Sequence, residues 1–337
     1  MQSSLFKYRP GIQSGKMQAH VRWDGKASAT IFDAADPTVP LDYMSFGVYR
    51  LEEGPFELSS ADREFVFMPV EGEYDFRIAD HHYTGSRAGG PFATLPEKSN
   101  ASAVYVGRDQ TAKLSGNGVM IWFAAPANGV KPAAFVAPGQ IEQVSRGKGV
   151  WHREVITLAG TSDLSTNLIA GETYSPPGLW SGTPLHTHDK DEPHKGEADL
   201  EEIYFHVARN TDGQWGSYAV QLLFDSEGMN QAYLLHNYDA IAIPGGAHPV
   251  VAGPTSDVLY FWALASSKPT DLKMKDVPEF GYLHGVAAIL DALEQERGRT
   301  PVKAERLARM ADEQKLDDSG REMLRQHLME RGFRIEY

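Results

Sequence analysis

Apolar positions along most of this chain come in short runs rich in β-branched and aromatic residues. Gly, Asn, Asp or Pro cut the runs off. That pattern predicts strands joined by turns. Between Tyr43 and Ala125 the runs are FGVYRL, REFVFMPV, EYDFRI, SAVYV and GVMIWFAA. From Arg153 to Ala265 the pattern recurs as REVITL, LIAGETY, EEIYFHVA, GSYAVQLLF, QAYLLHN, AIAIPGG, HPVVAG and DVLYFWALA. Two successive blocks of this kind predict two β-sandwiches or barrels. Ala127 to Gly149 then reads as the connection.

The period changes near the C-terminal end. Val286, Ile289, Leu290 and Leu293 have helical spacing, with Gly298 as a stop signal. Thr300 is placed as an N-cap with Pro301 at the first helical position. Ser319 and Glu322 have capping-box spacing. Three helices are predicted over roughly residues 284 to 331. They read as an appendage packed on the second barrel or on a neighbouring subunit.

Composition narrows the function. The chain has 337 residues, 42% hydrophobic and 10% aromatic, enough for well-packed cores. Its formal charge of -13, from 32 basic and 45 acidic residues, argues against nucleic acid or an anionic membrane as partner. It leaves a small anionic substrate open, because a local Arg or Lys can reverse the field in a pocket. The chain has no cysteine, so disulfide and thiolate chemistry are excluded. No apolar run is long enough to span a membrane, and the first residues lack the apolar core of a signal peptide. A cytoplasmic protein is expected, compatible with a homo-oligomer.

The most unusual run is PLHTHDKDEPHKGEADLEEIYFH, Pro184 to His206. It holds four of the twelve histidines and seven acidic residues. His186 and His188 are two apart, so on a strand both imidazoles face one side. Glu202, Tyr204 and His206 likewise share a face, and Glu201 points the other way. Downstream, IPGGAHPV sets His248 after a Pro-Gly-Gly turn. His186, His188, Glu202 and His248 together supply three imidazoles and one carboxylate from adjacent strands. That donor set suits a divalent first-row metal, one ion per chain, with Zn first and Mn, Fe or Ni as alternatives.

A strand-borne HxH, a following Glu and then PGxxH resembles the metal-binding signature of the cupin superfamily. Thirteen residues, DKDEPHKGEADLE, separate His188 from Glu202, more than is usual there. The segment GETYSPPGLWSGTPLHTHD…LEEIYFHVAR resembles the 5-deoxy-glucuronate isomerase family of inositol catabolism, as does DAIAIPGGAHPVVAGPTSDVLYFWALA. Weaker similarity lies in VSRGKGVWHREV and PFATLPEKSNASAVYVGRD, so the resemblance covers roughly residues 40 to 280. It implies an all-β bicupin, two jelly-roll barrels in one chain, akin to the 5-keto-4-deoxyuronate isomerases. The expected division is 1–140 for a barrel without metal ligands, 141–280 for the barrel with the site, and 281–337 for a C-terminal helical extension. That extension departs from the family. The implied ligands fall on His186, His188, Glu202 and His248. The implied reaction is a metal-dependent aldose-ketose isomerisation of 5-deoxy-glucuronate to 5-dehydro-2-deoxy-gluconate.

The first block tests this reading. Phe56 and Leu58 stand where its HxH would stand, and only Glu64 remains of a metal motif. One site, in the second barrel, is therefore expected. The pair His81-His82 is placed in a turn and given a surface or structural role. A proton must be shuttled by a base near neutral pKa, and His206 and Tyr204 are the candidates on the Glu202 face. Tyr218 and Gln221 are candidates for substrate hydroxyls, Arg153 and Lys190 for the substrate carboxylate. His194 belongs to the acidic insert, which reads as a solvated flexible flap. His152 and His236 have no partner that the sequence names. A 5-keto-4-deoxyuronate isomerase, a cupin dioxygenase and a non-catalytic sugar-binding bicupin are the competing readings.

Overall fold

A computed structural model describes residues 3–210, 216–296 and 301–336 of the chain. Gly298 and Thr300 lie outside the described residues. The structure is mostly β, and three sheets carry most of its strands. An eight-stranded antiparallel sheet holds the first block. Its centre is the pair Arg63–Ile78 and Thr111–Pro126. A seven-stranded sheet and a four-stranded sheet hold the second block.

Runs REFVFMPV and EYDFRI form one strand of 16 residues, not two. The register shifts between Pro69 and Glu71, so a bulge replaces the expected turn. Phe65 and Phe67 before the bulge and Tyr74 and Phe76 after it face one aromatic cluster, with Trp122. An odd-to-even switch within one strand needs such an extra residue. Phe56 stacks on Tyr49, ring centroids 4.2 Å apart, and Leu58 packs against the same cluster. The interior of the first block is therefore apolar.

One face of the seven-stranded sheet packs on the first block. Phe205 and Phe261 join Phe46, Met68 and Phe123 in a shared core. Its other face, with Tyr204, Ile241, Tyr260 and Trp262, closes on the four-stranded sheet around the second interior. Alternation along Glu201–Asn210 serves both sides. Helix α1, Leu5–Gln13, and strand His20–Arg22 complete the second unit. The strand pairs with Asp239–Ile243, and Leu5, Tyr8 and Ile12 are buried in the second core. Residues 5–22 thus pack with the second block, against the expected grouping with the first.

Two buried glutamates lock the blocks to each other. Glu64 is fully buried and accepts from the backbone N–H of Thr166, Asn167 and Leu168, from the Thr166 hydroxyl and from Tyr105 OH. Glu201 accepts from the backbone N–H of Asp42, Tyr43 and Met44. Each carboxylate caps the segment leading into a strand of the other block. Glu64 is thus occupied as a clasp rather than left over from a metal motif. Buried Arg87 adds a bidentate pair to Glu172, at 2.6 and 2.8 Å.

Three helices follow: α2 Tyr282–Glu294, α3 Ala304–Glu313 and α4 Asp318–Glu330. Val286, Ile289, Leu290 and Leu293 are all buried. Two helix starts differ from expectation. Pro301 precedes a short strand, Val302–Lys303, held parallel to Ile335–Glu336, so α3 begins at Ala304. The N-cap of α4 is Asp317, whose carboxylate accepts from Gly320 N, and not Ser319. Aspartate is as good a cap as serine, and here it precedes it in the chain. Among the described residues, no helix is long and apolar enough to cross a membrane.

Candidate metal centre

The second interior collects the polar residues of the HTH…EE…PGGAH pattern. Glu202 projects from strand Glu201–Asn210 and is 4% exposed. His186 starts the two-residue strand His186–Thr187, paired with Lys275–Asp276, and His188 follows it. His248 follows the Gly245-Gly246 turn. Both glycines have positive φ, and a Cβ on Gly245 would sit 2.5 Å from the Asp189 Cβ. A glycine is required where the turn passes this close. Gly246 N donates to Asp189 Oδ2, fixing the turn to the HxH strand.

The donor atoms of His188, Glu202 and His248 lie within 4.8 Å of one another, and all three residues are buried. His188 Nε2 and His248 Nε2 stand 3.2 and 3.1 Å from Glu202 Oε2. His186 is the outlying member, with ring centroids 5.7 Å from His248 and 6.3 Å from His188.

The three imidazoles are oriented in the same way. His186 Nδ1 donates to the Pro184 carbonyl, His188 Nδ1 to Leu200 and His248 Nδ1 to Gly246, at 2.9, 2.8 and 2.7 Å. A carbonyl only accepts, so each Nδ1 carries a proton, and in the neutral ring each Nε2 keeps a lone pair. His248 Nε2 has no hydrogen bond although it is buried. Lone pairs converging on a carboxylate repel unless a cation or protons lie among them. Ligand histidines held through Nδ1 by backbone carbonyls are the usual outer shell of a metal site. The donor set therefore fits a divalent ion.

The electrostatics of the protein alone agree. Burial raises the cost of charge on Glu202, but His188 and His248 outweigh it and hold the carboxyl near pKa 2. Burial, then His248 and His188, push His186 down to about 3. Burial opposes charge on His188, and Glu202 more than offsets it, raising the pKa.

The other sequence candidates divide by place. Tyr204 borders the centre: its ring lies 5.8 Å from His248. Its pKa is driven well up, first by burial and then by Glu202. His206 sits one step deeper, 6.0 Å from Tyr204 and 5.5 Å from Tyr260. Its Nδ1 donates to the Asp239 carbonyl, and its buried Nε2 has no partner. Gln221 is fully buried with both amide atoms unpartnered. Arg153 shares its strand face with Val155, which packs on the second core, and its charge is felt at Tyr204 and Tyr260. The structure does not bring Tyr218 or Lys190 to this cluster. Tyr218 is 37% exposed, one residue before inward Ala219, so alternation turns it outside. Lys190 lines a separate cleft of about 450 Å³ with Thr187, Glu197 and Lys275.

The acidic insert is a hairpin, not a flap. Asp189–Glu192 pairs with Glu197–Asp199, and exposed His194 lies in its turn. Ser3 and Ser4 hydroxyls donate to Asp189 and Asp199, pinning it to α1. His82 is on a strand rather than in a turn, 2.5 Å from Asp75. His152 meets Glu154 at 3.0 Å, and His236 Nδ1 donates to the Ser217 carbonyl. Tyr260 and Asp239, which meet His206, are marked by no motif. Tyr260 could have been found from register, since it lies opposite His206.

A sequence profile described as the KduI/IolB family matches residues 18–283. The chain belongs to the KduI/IolB family. A 5-deoxy-glucuronate isomerase of Geobacillus kaustophilus is 32% identical over 235 residues, covering 68% of this chain and 81% of that protein. A 5-deoxy-glucuronate isomerase of Halalkalibacterium halodurans is 27% identical, covering 67% and 82%. Among solved structures, an IolB-like protein of Salmonella typhimurium LT2 superposes with TM-score 0.71 at 23% identity, covering 79% of this chain and 99% of that one. An oxalate decarboxylase variant of Bacillus subtilis has TM-score 0.53 at 10% identity, over 82% and 84%. These structures show a cupin-like β fold. The KduI/IolB match stops at the start of α2, so α3, α4 and most of α2 lie beyond it.

Proposed function

We propose that this chain is a metal-dependent aldose-ketose isomerase converting 5-deoxy-glucuronate to 5-dehydro-2-deoxy-gluconate. The observation that carries this reading is the convergence of His188 and His248 Nε2 on Glu202, with His186 beside them, in a family whose relatives bear that isomerase name. His186, His188, Glu202 and His248 would hold one divalent ion, zinc first, with manganese, iron or nickel as alternatives. Such an ion supplies Lewis-acid polarisation of a substrate carbonyl.

The chain's own residues supply the rest. The reaction moves a proton from the carbon beside the aldehyde to the aldehyde carbon, and a hydroxyl proton to the old carbonyl oxygen. No co-reactant is needed. Tyr204 keeps its phenol proton at neutral pH, so it serves as the donor toward a substrate oxygen. His206, neutral with an unpartnered Nε2, is the acceptor in this reading, although burial lowers its pKa to about 4, below the near-neutral value expected from the sequence. Gln221 offers an unpaired amide to the sugar hydroxyls, and Arg153 a guanidinium to the carboxylate.

Two jelly-roll barrels form the frame in this reading. The first covers roughly residues 23–140, the second 141–280 with residues 1–22, and the helical extension 281–337. The partner is a small anionic sugar acid, and the place of action the cytoplasm. Assaying the purified protein with 5-deoxy-glucuronate and with 5-keto-4-deoxyuronate tests the substrate. Turnover of the first alone supports the proposal. Turnover of the second alone, or oxygen uptake with a flavonol, overturns it.

A further inference from the structure

Among their contacts with the barrel, the helices beyond the family match grip one short segment, residues 148–151. Their core takes in Trp151 from outside, 2% exposed, and half-buried Trp180 packs against the same cluster. His327 of α4, itself buried, meets the Trp151 indole edge-on at 5.2 Å. It also presses on the backbone at Gly149: a Cβ there would sit 2.4 Å from the imidazole. Lys148 pairs with Asp291 of α2 at 2.5 Å and with Glu294 at 3.4 Å. Residues 148–151 are thus held from the helical side by ring packing and by charge.

The same segment holds Arg153. Arg153 Nη1 donates to the Trp151 carbonyl at 3.3 Å and to the Thr183 carbonyl at 2.7 Å. The corner is tight, since a Cβ on Gly147 would lie 2.2 Å from the Trp151 carbonyl and 2.9 Å from that same Nη1. Helix α4 sets Trp151, Trp151 helps set the guanidinium, and the charge of that guanidinium is felt at Tyr204 and Tyr260. We infer that the C-terminal helices are a positioning device for Arg153, with His327 acting through Trp151. The helices then sharpen substrate binding in this chain without touching substrate. This rests on the reading of Arg153 as the carboxylate anchor.

A double-mutant cycle on the full-length enzyme tests it, with 5-deoxy-glucuronate as substrate. Arg153→Ala is expected to raise KM by about 10- to 100-fold, the loss of one charge-assisted contact. His327→Ala is expected to raise KM by roughly 5-fold with kcat within about twofold and metal content unchanged. In the double variant KM should equal that of Arg153→Ala alone, because the helix acts only through the guanidinium. Lys148→Ala, half a surface change, should show the same non-additivity if His327→Ala folds poorly. Additive effects, or an unchanged KM in both helix-side variants while Arg153→Ala raises it, overturn the inference and leave the anchor standing. An unchanged KM in Arg153→Ala overturns the anchor, and the inference with it.

Discussion

Glu64→Gln separates a structural clasp from a relic of a metal site. The substitution keeps size and shape, removes the charge and turns one acceptor oxygen into a donor NH2. Glu64 Oε1 accepts from Asn167 N and Leu168 N, and Oε2 from Tyr105 OH, Thr166 N and Thr166 Oγ1. With its NH2 turned to Tyr105 and Thr166 the amide strands one backbone donor, Thr166 N, because both hydroxyls can turn and accept; turned the other way it strands two, Asn167 N and Leu168 N. Each such donor costs about 1–3 kcal/mol. The amide settles the cheaper way, so the expected loss is about 1–3 kcal/mol, against a total stability of roughly 5–15 kcal/mol for a domain. Urea titration followed by tryptophan fluorescence reads the loss, and metal analysis of the same samples reads the site. The expected result is a lower midpoint with metal content unchanged. A shift below about 1 kcal/mol, or loss of metal without loss of stability, would refute the clasp.

Two further outcomes follow from the same geometry. Arg87→Met strands the buried Glu172 carboxylate and should cost about 3–5 kcal/mol, while Arg87→Met with Glu172→Met recovers most of it; equal losses in single and double variants would contradict this. Burial pushes His206 down to about 4 from 6.5, with the Asp239 carbonyl pulling weakly the other way. The unfolded chain takes up that proton below 6.5 and the folded one only near 4. This contribution is intact above pH 6.5 and is lost as pH falls through that window, by about 2 kcal/mol at pH 5. His206→Gln should flatten the difference between pH 7 and pH 5 in urea titrations of metal-stripped protein; parallel pH profiles for the two proteins would contradict it.

What the sequence makes legible here is what depends on local spacing. Strand runs are visible because β-branched and aromatic residues crowd between turn residues. His186, His188, Glu202 and His248 can be grouped because two-residue spacing and a Gly-Gly turn each dictate direction. Val286, Ile289, Leu290 and Leu293 mark a buried face for the same reason. Features that depend on distant partners are not legible. Glu64 and Glu201 look alike in sequence to ligand or solvent glutamates, and only the blocks' mutual packing reveals the backbone donors they meet. The EG pair at 71–72 reads as a turn, yet a bulge lets the strand continue because both its halves bury aromatics in one cluster. The acidic insert reads as solvated, but Ser3 and Ser4, far away in the chain, pin it as a hairpin. Lys190 stands near the motif in sequence and Tyr218 beside the next strand, yet Lys190 lines a separate cleft and alternation turns Tyr218 outside.

The central claim is that one metal-holding centre in the second block performs the isomerisation. The direct measurement is metal content together with turnover of 5-deoxy-glucuronate for the intact chain and for His248→Ala, with far-ultraviolet circular dichroism as the control on folding. The expected result is one divalent ion per chain and ketone formation in the intact protein. His248→Ala should lose both while keeping the spectrum. Full isomerase activity in a folded His248→Ala protein would contradict the account.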